Sequence, residues 1–464
     1  VKGKLFNYWN RAEEGPMMTE KEFDLKVYWP ALKRLIKKYD IKYKPDEIVP
    51  QDIEEINNIY KAAKELFVEV GVYNVTTNRV IKWTEEEVDA IMKVFPSSST
   101  IGEGRDATTM VKRTLHDKRP TGNVLARVLG SQDPALIDRV FYAYAQEERI
   151  DHCCFQGIIP HIGGADVRPW SPAEMTSELK RVAAVEWARK AAGRPGLADC
   201  SSAPVSLQAA MAAMNSDSGM RKGDVRHVYI MPHLKTSYEQ FTRTVSTFAF
   251  GHHQWGIGQA YVGGLSGSPN MAAVVTTAEL FAYCMLYNPS YLGLWSADGM
   301  YFATTSRTAL WTNFHAGAAW TNNTNTFSVA GAPWGVVVSG PCTESYFWEH
   351  AAGAIGCAVT GMFSAGGTGW QSGGHMGATP IGARFASEVC DAVCEAQIGF
   401  AEANRLVKYC LAKYEERMLA RTLHEGGKPF DQCYDIESCT PLPEFTDLYE
   451  KVKAELREQG LKNL

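Results

Sequence analysis

Short apolar runs alternate with longer helical stretches through most of this chain, and that order restricts the fold more than any other feature. The runs at 152–159, 227–231 and 335–340 are each followed by a loop and then by residues at helical spacing, as at 173–192, 276–287 and 342–358. Strand then helix, repeated, is the rhythm of a parallel sheet covered by helices, and a closed TIM (β/α)8 barrel is the simplest architecture that carries it. Between 245 and 335 the Ala- and Gly-rich sequence has mixed periodicity, so eight strands are not counted from pattern alone.

The flanks read differently. Residues 54–70 carry apolar side chains at helical spacing and Gly71 ends that helix; 72–76 and 80–83 read as strands joined by a turn at 77–79. Thr84 with Glu87 forms a capping box for the next helix. Towards the end, 388–413 reads as one long helix, followed by a loop with Gly426, Gly427 and Pro429 and a charged helix over 445–459. The expected organisation is a helical N-terminal region with a short hairpin over 1–120, a barrel core over 121–385, and C-terminal helices packed on it over 386–464, all one domain.

A chain of 464 residues, 45% hydrophobic and 21% charged, buries a large core. A net charge of −5 offers no basic footprint, which argues against nucleic acid as a partner. No stretch approaches the ~20 apolar residues of a membrane span, the first eleven residues are polar and charged, and eleven scattered cysteines suit reduced, buried thiols. A cytoplasmic protein is expected.

The densest chemical feature is aromatic. Trp255, Trp295, Trp311, Trp320, Trp334, Trp348 and Trp370 fall in the second half of the chain, among Tyr261, Tyr291, Tyr301 and Tyr346. Aromatic faces attract cations, quaternary ammonium groups above all, although any one tryptophan is more often a core or interface residue. Histidines are numerous, but no zinc spacing is present, and His152-Cys153-Cys154 sits in an apolar run that suits inert thiols. Gly102-Glu103-Gly104-Arg105-Asp106 lacks the spacing of a phosphate loop, and no nucleophile elbow occurs.

Several stretches carry a resemblance over nearly the whole length: Gly104-Arg105-Asp106-Ala107, Ala192-Gly193-Arg194-Pro195-Gly196, Tyr261-Val262-Gly263-Gly264, Gly340-Pro341-Cys342-Thr343-Glu344, and Cys433-Tyr434-Asp435 with Thr440-Pro441. In these the chain resembles the archaeal monomethylamine:corrinoid methyltransferase family. The resemblance implies a TIM barrel, a homo-oligomer (hexameric in the family), a role in methanogenesis, and transfer of a methyl group from an amine to Co(I) of a corrinoid carried by a separate protein.

The family uses a pyrrolysine four positions after its Gly-Arg-Pro-Gly stretch; that position here is Cys200. A cysteine has no electrophilic imine, and where the family has acidic residues Gly263-Gly264 leads into Leu265-Ser266-Gly267-Ser268. A quaternary or otherwise pre-activated methylated amine needs neither an adduct nor proton handling, and is the expected donor. By correspondence Cys200, His233 and Glu344 are candidate catalytic residues. Trp255, Tyr261, Trp295 and Trp334 are candidate substrate-binding residues, and Arg105 and Asp106 a structural pair or part of the partner's docking surface. No resident metal is expected. Two alternatives stand beside this: zinc held by Cys200, His233 and another histidine, acting on a thiol or alcohol donor, and a non-catalytic homologue that binds an amine or the corrinoid protein.

Overall fold

The computed structural model describes residues 2–464 apart from 122–123, 129–134, 157–158, 201–204, 328, 330, 332–336, 364–365, 368, 371–375, 378 and 424. Helix Ile53–Val70 forms where Ile56, Ile59, Ala63, Leu66, Phe67 and Val70 recur at helical spacing, and all six are buried. Asp52 caps its start by accepting from the Glu54 N–H. Gly71 ends it at φ +71, where a Cβ would meet the Ile81 carbonyl oxygen at 2.3 Å. The strands Val72–Asn74 and Arg79–Ile81 pair antiparallel, and the Thr84–Glu87 capping box opens helix Glu85–Val94.

Six strands form two parallel sheets. Val124–Val128, Ile150–Phe155 and Ala198–Asp199 lie side by side in that order, as do Val225–His227, His253–Gly258 and Tyr291–Leu294. Tyr261–Val262 and Ala297–Asp298 pair parallel just beyond the second sheet. Helices follow the strands, among them Pro172–Ala191, Tyr238–Phe250, Pro269–Leu286 and Arg307–Asn323, and the late helix Pro380–Glu395 packs back against Val124–Val128.

Alternation along each strand separates two faces. Cys153 and Phe155 join the large core beneath the helices, whereas Cys154 joins a separate cluster with Ala198, Cys200, Val225, Trp255, Ile257 and Tyr291. Gly256, between Trp255 and Ile257, turns towards helix Pro269–Leu286. A Cβ there would lie 2.1 Å from Tyr283, so only glycine allows this approach of strand and helix. The hairpin Ser98–Ile101/Thr108–Val111 contributes Ile101 and Met110 to the inner cluster from the ends where the strands begin, since Gly102 N–H donates to Gly223 O at 2.8 Å and Glu103 N–H to Gly196 O at 2.9 Å.

Three stretches differ from their sequence pattern. The expected helix over 388–413 is two helices, Pro380–Glu395 and Phe400–Ala412. Gln397 turns at φ +52, Ile398 N–H bonds back to Val393 O at 3.2 Å, and Gly399 caps the second helix. The run at 227–231 is strand only at Val225–His227, because the chain turns through His233 (φ +68) and Leu234 (φ +59) so that Lys235 bridges Met231. In the run at 335–340, residues 335–336 lie outside the described residues. Val338 and Ser339 donate their N–H groups to Glu349, at 2.9 and 2.6 Å, instead of to a neighbouring strand. All eleven cysteines are free and buried, and among the described residues no helix is long and apolar enough to cross a membrane.

Candidate active site on the inner face of the parallel strands

Cys200 follows the strand Ala198–Asp199 and prolongs its pairing, donating its N–H to Cys153 O at 2.8 Å. Its side chain is fully buried on the inner face, and its thiol is hydrogen-bonded to that of Cys154. Burial first, and Cys154 second, push the Cys200 thiol well above its ordinary range. It is therefore a neutral thiol at physiological pH.

Parallel register assembles the rings around it. His227 lies opposite Trp255, and Trp255 opposite Tyr291. The ring centroids are 4.3 Å apart for His227 and Trp255, 6.0 Å for Trp255 and Tyr291, and 5.2 Å for His152 and Tyr291. Burial lowers the His152 pKa to about 3, so this imidazole is uncharged as well. Neither ring nitrogen of His152 nor the Tyr291 hydroxyl has a protein hydrogen-bond partner. Buried polar groups left so cost roughly 1–3 kcal/mol each, and their convergence on one face marks a place built for something besides protein.

Charge is kept to the other face. Asp199 turns towards helix Pro172–Ala191, where Arg181 meets it at 3.2 Å and Glu178 at 2.8 Å. Arg226 meets Glu178 at 3.1 Å, and Arg189 meets Asp224 at 2.7 Å. Burial opposes ionisation of Asp224 and Glu178, but Arg189 outweighs it for the first and Arg181 with Arg226 for the second, leaving both carboxyls below their usual values. Asp199 is the exception, since burial raises it despite Arg181. The two carboxylates whose fields reach Cys200, Asp199 and Asp224, are thus each held by an arginine.

The expected residues divide. Cys200 and Trp255 share the inner cluster, Trp295 packs on it half-buried, and Tyr261 stands edge-on to Trp295 with centroids 6.0 Å apart. Trp334 lies outside the described residues. His233 is elsewhere: it faces Tyr28 at 5.7 Å and donates its backbone N–H at 3.2 Å to Glu279, a carboxyl that burial pushes up to about 8. Glu344 opens helix Glu344–Val359 and is engaged by Lys451 at 2.5 Å and the Trp348 indole at 3.1 Å. Arg105 donates to Gly193 O, and Asp106 accepts from Gly196 N–H at 2.9 Å. The pair thereby braces the turn that delivers Cys200, at the end of the sheet where strands begin. Gly196 is required there, since a Cβ would lie 2.0 Å from the Glu103 carbonyl oxygen.

Cys154, His227 and Tyr291 were not among the expected site residues, nor was His152. Their signal was present as period-two alternation: His152 with Cys154, and Trp255 with Ile257, share a strand face.

A sequence model of the family Monomethylamine methyltransferase MtmB matches residues 4–461. Monomethylamine methyltransferase MtmB2 of Methanosarcina acetivorans is 27% identical, with 98% of each chain covered, and MtmB of Methanosarcina mazei is 26% identical with the same coverage. The crystal structure of the Methanosarcina barkeri monomethylamine methyltransferase superposes with a TM-score of 0.88 at 23% identity over 98% of each chain.

Proposed function

The chain belongs to the monomethylamine methyltransferase MtmB family, and from that premise we propose that it moves a methyl group from a quaternary or otherwise pre-activated methylated amine to Co(I) of a separate corrinoid protein, without pyrrolysine. The observation that carries this reading is the neutrality of the site: a protonated thiol, an uncharged imidazole and aromatic rings surround the position that pyrrolysine holds in the family.

Displacement at a methyl carbon requires a leaving nitrogen that departs as a neutral amine. A quaternary ammonium meets that requirement as bound, with no proton to place and no adduct to form. Trp255, Trp295 and Tyr261 would offer ring faces to its charge, worth ~2 kcal/mol or more for a desolvated cation. Neutral His152 does not repel it. Cys200 serves as a small uncharged wall, because a thiolate there would itself take the methyl group.

The corrinoid supplies the nucleophile that accepts the methyl group. This chain's contribution is a surface on which its carrier can dock. Trp170, Val205, Met300 and Phe302 are exposed by 60, 57, 66 and 43% and all lie between a strand and the next helix, on the side of the sheet where strands end. Large apolar side chains exposed there suit a protein partner. The same order of strands, with helix Pro380–Glu395 returning to the first of them, supports closure into a TIM barrel.

The zinc alternative is less well supported, because His233 packs against Tyr28. Among the described residues no group of three or more histidine, cysteine or acidic side chains is placed to hold a metal ion.

The test is a spectroscopic assay with reduced corrinoid protein and a panel from monomethylamine to glycine betaine and other quaternary amines. Methyl-cobalt should appear with a quaternary donor and not with monomethylamine. Silence across the panel, with the corrinoid protein shown competent by another methyltransferase, overturns the proposal in favour of a binding-only homologue.

A further inference from the structure

A second pair of thiols meets outside the inner-face cluster. Cys342 stands one residue before Thr343, the N-cap of helix Glu344–Val359, and its backbone is left-handed at φ +62. Cys433 ends the short helix Phe430–Cys433 and reaches the same loop. The chain between them is fastened there, since Lys428 N–H donates to Pro341 O at 3.1 Å. The Cys433 S–H donates to Lys428 O at 3.5 Å, and the two thiols are close enough that ionisation of Cys342 draws a hydrogen bond from Cys433. Cys342 keeps 6% of its surface exposed and Cys433 none, so of the two residues Cys342 is the nearer to solvent.

The electrostatics favour Cys342 as the sulfur that ionises. Its hydrogen bond from Cys433 lowers it most, and Lys428 lowers it further against burial and Glu444. The same bond raises Cys433. The start of a 16-residue helix adds its partial positive charge.

We propose that Cys342 and Cys433 form a thiol–disulfide exchange site, with Cys342 attacking and Cys433 resolving. The Cys342 thiolate attacks one sulfur of a small organic disulfide, whose S–S bond breaks and releases one thiol. Cys433 then loses its proton and attacks the Cys342 sulfur of the mixed disulfide, expelling the second thiol. Two protein thiols are oxidised to one disulfide, and the small disulfide is reduced to two thiols by the same two electrons. The product ties the segment that begins at Phe430 to the loop at 338–343, which Glu349 already holds through Val338 and Ser339.

The experiment uses the reduced full chain, treated with oxidised glutathione without oxygen, blocked with N-ethylmaleimide, digested and mapped by mass spectrometry. The expected product is a linked pair of peptides carrying Cys342 and Cys433, lost on treatment with dithiothreitol. C433S should carry a glutathionyl group at Cys342, and C342S should carry none at Cys433. Absence of the link in the wild-type chain overturns the proposal, as does a link confined to Cys154 and Cys200. Modification of Cys433 in C342S overturns the assigned order. The wild-type map needs no variant, so a serine variant that fails to fold cannot conceal a negative result.

Discussion

The thiol pair Cys154 and Cys200 on the inner face of the strands and the pair Cys342 and Cys433 at the start of a late helix have surroundings that make them opposites. In each pair the two sulfurs lie within hydrogen-bonding reach. Around Cys200 burial dominates, with rings and aliphatic side chains packed close and the neighbouring carboxylates bound to arginines, so the thiol is pushed up. Around Cys342 the hydrogen bond, Lys428 and a helix start prevail, and the thiol is pulled down. Proximity of two sulfurs therefore says little about reactivity. Solvation and the sign of the nearest charge decide whether a pair is an inert wall or an exchange centre.

The largest expected effect comes from breaking the neutrality behind Cys200. Arg189→Met leaves the Asp224 carboxylate with backbone donors alone in a buried site, and should cost about 3–5 kcal/mol in urea unfolding. A cost below ~1 kcal/mol would mean that the arginines do not maintain the uncharged inner face. A smaller effect tests what that face is for. Trp295→Leu should lower kcat/KM for a quaternary donor by roughly thirtyfold, the equivalent of about 2 kcal/mol, in the methyl-cobalt assay. An unchanged value removes the aromatic cage. The smallest effect sharpens the other side of the comparison: Lys428→Met should slow alkylation of Cys342 by iodoacetamide at neutral pH by about threefold, while Cys200 stays slow in both proteins. Equal rates for Cys342 and Cys200 in the wild-type protein would erase the contrast.

Much of the architecture was legible where local chemistry decides. Gly71 ends the helix Ile53–Val70, and Thr84 with Glu87 opens the next, because caps and positive φ are satisfied within a few residues. The break between Pro380–Glu395 and Phe400–Ala412 was not legible, since no proline interrupts the apolar pattern and the turn rests on Gln397 adopting φ +52. Of the candidate site, the sequence pointed to Cys200, Trp255, Trp295 and Tyr261. It placed His233 and Glu344 with them, whereas the fold commits these two to Glu279 and to Lys451 with Trp348.

The sequence by itself determined the strand-then-helix order and the family, and singled out Cys200 as the position to examine, because each of these is written in spacing or in matching residues. Only the tertiary structure decided which groups meet. Cys154 lies on one strand and Cys200 just after the next strand of the same sheet, with the whole helix Pro172–Ala191 between them, and four helices among the described residues lie between Cys342 and Cys433. The physical reason is that reactivity depends on burial and on charges a few ångströms away, and those charges come from parts of the chain that pattern along the sequence does not join.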